Sequence, residues 1–180
     1  GGESKNKNLM ITGPNASGKS TFLKAITECL IFAQTICLVP CNNMKFTPFK
    51  EINTYLNIPD CQGKESLFQA EMERCFNQIQ NIKKLDSNEF VFSIMDEIFV
   101  STNYYEGISG AYAISEKMGR FPNSICLIST HFPTLSKFCE QKGYYTNYHF
   151  SIDECENYVN KPDNNPDSKN KSIIKKTYKV

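Results

Sequence analysis

The run Gly13-Pro14-Asn15-Ala16-Ser17-Gly18-Lys19-Ser20-Thr21 constrains this 180-residue chain more than any other feature. It fits G-x-x-x-x-G-K-[ST] in full, the pattern of a phosphate-binding loop. The short apolar run Asn8-Leu9-Met10-Ile11-Thr12 precedes it and reads as a buried strand. Apolar Phe22, Leu23, Ile26 and Leu30 follow at helical spacing. A strand, a glycine-rich turn and a helix are the context that gives the pattern its meaning. The glycines let backbone N–H groups turn inward at a helix N-terminus, where phosphate oxygens are held. The whole loop, residues 13–21, is therefore expected to bind ATP. Lys19 brings a positive charge to the β- and γ-phosphates, and the Ser20 hydroxyl is an expected Mg²⁺ ligand.

A second site answers the first. Glu89-Phe90-Val91-Phe92-Ser93-Ile94-Met95 is nearly continuous in apolar residues and ends at Asp96-Glu97. Such a run is what a central parallel strand looks like, and an acidic pair at its end fits a Walker B site. Asp96 is expected to hold Mg²⁺, directly or through water. Glu97 is expected to polarise the attacking water. Nucleotide kinases use arginine-rich lids, but this chain has only Arg74 and Arg120, neither in a lid-like segment. Hydrolysis coupled to conformational change is favoured over small-molecule phosphorylation.

The remaining pattern predicts a three-layer α/β fold with a mainly parallel sheet and an antiparallel β edge. The first helix runs over residues 19–34 and is broken by Val39-Pro40. Residues 44–58, with Pro48, read as short strands. A second helix over residues 66–85 has Ser66 as N-cap and Phe68, Met72, Cys75, Phe76 and Ile79 on one face. A helix over 105–118, a buried strand over 124–129 and a short helix over 134–141 follow. Residues 144–152 and 173–180 are expected to pair as the antiparallel edge. Residues 1–7 read as a flexible lead-in and 8–156 as one domain. Residues 157–171, polar and carrying Pro162 and Pro166, read as a mobile loop. Residues 172–180 read as a terminal strand that suggests truncation of something longer.

Composition bounds the rest. Charge is balanced, with 20 Lys+Arg against 19 Asp+Glu and a net of +1. That argues against a nucleic-acid surface built on bulk charge, for which a pI above about 9 is the usual footprint. No apolar stretch is long enough to span a membrane. The eight cysteines include no CxxC pair, and Cys29, Cys75 and Cys126 sit in apolar periodic segments. They read as free thiols in a reducing, intracellular setting.

Four segments occur in order: the phosphate loop, Glu65-Ser66-Leu67-Phe68-Gln69-Ala70-Glu71-Met72, Met95-Asp96-Glu97-Ile98, and Ser129-Thr130-His131-Phe132. Together they resemble the ATPase domain of the MutS family of DNA mismatch-repair proteins, over roughly residues 8–150. The resemblance implies that Asn15 and Lys19 contact phosphates and that Ser20 and Asp96 serve Mg²⁺. It implies that Ser66 approaches the γ-phosphate of ATP on a second MutS-like subunit, as a helix N-terminus suits an anion. It makes Glu97 catalytic and His131 a γ-phosphate sensor. It also implies that mismatched duplex DNA is bound by regions outside this chain. Where the family often has Gly-Arg-Gly-Thr-Ser, this chain has Phe99-Val100-Ser101-Thr102-Asn103, which marks a divergent branch. Ser17 likewise replaces a glycine common among relatives.

The leading expectation is an ATPase module whose nucleotide-driven dimerisation is relayed to DNA binding, weakly active in isolation. An ATP-switched scaffold of the same type without mismatch recognition is the alternative. A chromosome-maintenance ATPase would carry a long coiled coil between the phosphate loop and Ser66. Only about 45 residues separate them.

Overall fold

The structure, a computed structural model, describes residues 7–56, 67–157 and 173–179. Strands and helices alternate: β1 (Asn8–Thr12), α1 (Lys19–Thr35), β2 (Phe49–Tyr55), α2 (Leu67–Lys84), β3 (Phe90–Asp96) and α3 (Tyr104–Gly119). Then come β4 (Ser124–Ser129), α4 (Pro133–Lys142), β5 (Tyr145–His149), β6 (Ser151–Asn157) and β7 (Ile173–Lys179). The first five strands form one sheet in the order β2-β3-β4-β1-β5, every neighbouring pair parallel.

Side chains of the central strands alternate between two cores, as strand geometry requires. Met10, Val91, Met95, Cys126 and Ile128 pack beneath α2, α3 and α4. Ile11, Phe92, Ile94 and Leu127 pack against Leu23 and Leu30 of α1. The sheet is thus covered on both faces, and its inner strands can be apolar throughout. Registers Ile11↔Ser129 and Asp96↔Ser129 bring the C-terminal ends of β1, β3 and β4 level. Everything that follows those strands meets along one edge, where open α/β sheets bind ligands.

Three expectations shift. Helix α2 is rotated from the predicted face: Cys75 and Ile79 are buried, but Met72 and Phe76 are 38% and 56% exposed. Glu71, Gln78 and Ile82 take the inner positions instead. Residues 144–152 do not make a single strand. Tyr145–His149 pairs parallel with β1, and the chain then turns into β6, which pairs antiparallel with β7 in a separate two-stranded sheet. Asn157, expected to open the loop, is the last residue of β6. The rest of the loop expectation, residues 158–171, and the lead-in expectation apart from Lys7, residues 1–6, lie outside the described set.

Candidate nucleotide site

Backbone geometry makes the loop between β1 and α1 a cradle. Gly13 has φ +152°, and a Cβ there would stand 2.7 Å from the Phe150 carbonyl oxygen. Gly18, at φ 96° and ψ 8°, occupies the N-cap of α1, which has no side-chain cap and no acidic residue in its first turn. Its leading N–H groups are left for an anion. Ala16 adopts φ +60°, a left-handed conformation that costs a non-glycine residue roughly 1–2 kcal/mol. The Ser17 hydroxyl is buried with no hydrogen-bond partner among the described residues. An orphan hydroxyl beside the uncapped start of α1 fits a phosphate oxygen.

Lys19 is buried at the mouth of this cradle. Its Nζ donates to the carbonyls of Gly13 (3.0 Å) and Pro14 (3.1 Å) and lies 3.5 Å from Glu97 Oε1. Residues 15–21 line a cavity of about 640 Å³ that Glu97, Ala25, Phe22 and Phe150 complete. Phe22 and Phe150 meet edge to face at 5.4 Å. The volume falls in the range of small-ligand sites, about 300–1,000 Å³. In the sequence Phe22 reads only as part of the apolar helix face, and Phe150 carries no such signal. Phe150 follows a strand boundary that pattern alone placed differently.

At the end of β3, Ser129 organises the acidic pair. Its Oγ donates to Asp96 Oδ1 at 2.5 Å, and the Glu97 N–H points to Ser129 O at 3.2 Å and Oγ at 3.1 Å. Glu97 itself has φ +51°. Ser20, Asp96 and Glu97 line a second cavity of about 210 Å³ together with Tyr55, Leu67, Glu71 and Val100. Ser20 and Glu97 border both cavities. One hydroxyl and two carboxylates suit a hard cation that keeps waters and takes its remaining ligands from phosphates, so the residues fit Mg²⁺.

The other predicted residues are distributed unevenly. Gly13 and Pro14 border a third cavity of about 340 Å³, as does Asn15. His131 faces that cavity too, exposed, its ring centroid 4.3 Å from that of Phe132. It borders neither of the cavities that Lys19 and Ser20 line. His149 borders the same third cavity, its Nδ1 3.1 Å from Thr12 Oγ1. Ser66 lies outside the described residues, directly before α2. Sequence reasoning missed Glu71 and Tyr55. A signal was present: Glu71, Cys75, Gln78 and Ile82 recur at helical spacing, and a carboxylate within that series marks a polar residue on a core face.

The turn after β3 takes left-handed backbone conformations at residues other than glycine. Phe99, where the family often has glycine, has φ +60° and is fully buried. Its ring packs on Phe68 at 5.5 Å, and α3 gives way through Gly107, where a Cβ would meet the Phe99 carbonyl oxygen at 2.6 Å. Asn103 caps α3 by accepting from the Glu106 N–H at 3.0 Å.

Comparison with known proteins agrees with this geometry. The family model for MutS domain V matches residues 9–172. The DNA mismatch repair protein msh-2 of Neurospora crassa is 36% identical over 142 residues, 78% of this chain and 15% of that protein. MutS protein homolog 4 of Homo sapiens is 33% identical over 96% of this chain and 17% of its own length. DNA mismatch repair protein MSH3 of Debaryomyces hansenii is 34% identical over 81% of this chain. The chain thus spans less than a fifth of the length of these relatives. A P-loop opening α1, an acidic pair closing β3 and a family match over most of the sequence lead to one assignment: the chain belongs to the MutS domain V family.

Proposed function

We propose that this chain is the ATP-binding and ATP-hydrolysing module of a MutS-like DNA mismatch-repair protein. The observation that carries the reading is the meeting of Lys19 and Glu97 at 3.5 Å on the wall of the cavity that the phosphate loop lines. In this arrangement the α1 N–H groups and the Ser17 hydroxyl receive phosphate oxygens. Lys19 exchanges its carbonyl contacts for the β- and γ-phosphates. Ser20 and Asp96 would hold Mg²⁺, which supplies charge neutralisation on the phosphate oxygens when bound. Glu97, released from Lys19, orients and polarises the attacking water. The transferred phosphoryl group needs positioning and electrostatic stabilisation more than covalent chemistry.

Ser66, from a second MutS-like subunit, would complete the site at the γ-phosphate, and His131 would report on it from the outer side of the loop. Mismatched duplex DNA would be met by regions beyond this chain, and the work would take place inside the cell. The reading is tested by ATP turnover measured over a range of chain concentrations. Turnover per chain should rise with concentration, as a partner's serine requires, and Glu97→Gln should lower it at least about tenfold. Concentration-independent turnover contradicts the composite site, and a fully active Glu97→Gln variant contradicts the role of Glu97.

A further inference from the structure

Glu71 is a carboxylate in an unusual place. It lies on the inner face of α2 at 4% exposure, with no cationic side chain bonded to it among the described residues. A buried carboxylate is costly unless its oxygens are hydrogen-bonded, and a hydrophobic residue at this position would pack better. Its partner is Ser101, whose Oγ donates to Glu71 Oε2 in a short hydrogen bond. Ser101 is exposed and sits in the turn that leaves β3, four residues beyond Glu97. Both Glu71 and Glu97 line the small cavity that also holds Ser20 and Asp96.

That turn is tied to Ser129 at its start, through the Glu97 N–H, and to α3 at its end, through Thr102 and Asn103. Glu97 and Phe99 both have left-handed backbones, at φ 51° and 60°. The Phe99 ring anchors the middle of the turn on Phe68 of α2. The Glu71–Ser101 bond anchors its far end on the same helix. Tyr55, at the end of β2, closes the pocket around Glu71. Burial first, then the interaction of its hydroxyl with the Glu71 carboxyl and the charge there, push that hydroxyl well above the usual phenol range. A hydrogen bond to a carboxylate is about twice as strong as one between neutral groups.

We infer that Glu71 is a positioning residue for ATP hydrolysis: through Ser101 it fixes the turn that carries Glu97, tying the register of α2 to the water-polarising carboxylate. This rests on the ATPase reading above. It makes α2, the helix that Ser66 precedes, the lever through which a partner at the helix N-terminus adjusts Glu97. Among the described residues Glu71 bonds to Ser101 and not to the phosphate loop, although Glu71 and Ser20 border the same small cavity. Its effect belongs to turnover, not to nucleotide affinity.

Ser101→Ala removes the donor at an exposed position and leaves the buried helix face intact. Its ATP turnover should fall about tenfold, the worth of one charge-assisted hydrogen bond, while ATP affinity stays within about twofold. Glu71→Gln keeps an uncharged acceptor and should fall in between, with a melting temperature equal to or above that of the parent. Ser101→Thr restores the hydroxyl and should restore turnover. In a Glu97→Gln background, Ser101→Ala should cost nothing further. Parental turnover in Ser101→Ala overturns the inference, as does an equal loss of ATP affinity or a full additional loss on top of Glu97→Gln. If the parent chain itself shows no ATP turnover at any concentration, the ATPase reading falls. If the parent is active and Ser101→Ala matches it, only the role of Glu71 falls.

Discussion

Single residues carry backbone conformations that composition does not announce. Phe99 is the sharpest case, since it pairs a left-handed φ of +60° with a fully buried ring. Replacing it by alanine or by glycine removes the same ring and should cost about 3–5 kcal/mol. The two variants should still differ, and in the direction opposite to most buried sites. Glycine escapes the left-handed penalty of about 1–2 kcal/mol and pays about 0.5–1 kcal/mol in chain entropy. Phe99→Gly should therefore be the more stable of the two by about 0.5 kcal/mol, read from urea midpoints. A more stable Phe99→Ala contradicts the strained turn. The phosphate loop was legible at this scale because its residue types are dictated by chemistry: glycines where φ turns positive, a lysine and a hydroxyl where charge collects. Phe22 and Phe150 were not legible, because an aromatic wall has no fixed spacing.

Elements tell a mixed story. The strand runs before Gly13 and up to Asp96 could be read directly, since inner parallel strands are apolar on both faces and stand out from everything else. The buried face of α2 could not. Apolar Met72 and Phe76 suggested one face, and the helix buries Glu71 and Gln78 instead. Hydrophobic periodicity fails where a polar residue is buried for a reason other than stability. The thiols of the core give a test at this scale. Burial, then the Glu71 charge, pushes the Cys75 thiol up from about 9.0 to about 12. Burial likewise raises Cys126 to about 12 and Cys139 to about 11. In each case the folded value lies above the unfolded one, so the neutral thiol favours the fold fully below pH 9. From pH 9 to 12 the unfolded chain ionises first, and that stability is lost. The melting temperature should fall through this window. A Cys126→Ala variant should give a shallower fall, and an unchanged slope would remove burial of that thiol as a cause. At pH 8, exposed Cys37 and Cys41 should be alkylated in the native chain while Cys75, Cys126 and Cys139 are protected.

For the molecule as a whole, the order of elements proved the most informative reading. Alternating strands and helices implied a covered parallel sheet, and the sheet order β2-β3-β4-β1-β5 places the phosphate loop and the acidic pair on one edge. Among the described residues no helix is long and apolar enough to cross a membrane. The antiparallel pairing expected near the C-terminus is present, but as the separate β6–β7 pair, which starts directly after Phe150 makes the last hydrogen bond to β1, its N–H to Thr12 O at 2.8 Å. A change of strand partner from one sheet to another leaves no local mark in sequence.

The central claim is that this fold binds ATP through the phosphate loop. Its most direct test is an equilibrium titration of the chain with ATP and Mg²⁺, beside a Lys19→Ala variant whose folding is verified by circular dichroism. Saturable binding by the parent and at least about tenfold weaker binding by Lys19→Ala are predicted, the loss of one charge-assisted contact to phosphate. No saturable binding by the parent, or the same affinity in both, would contradict it.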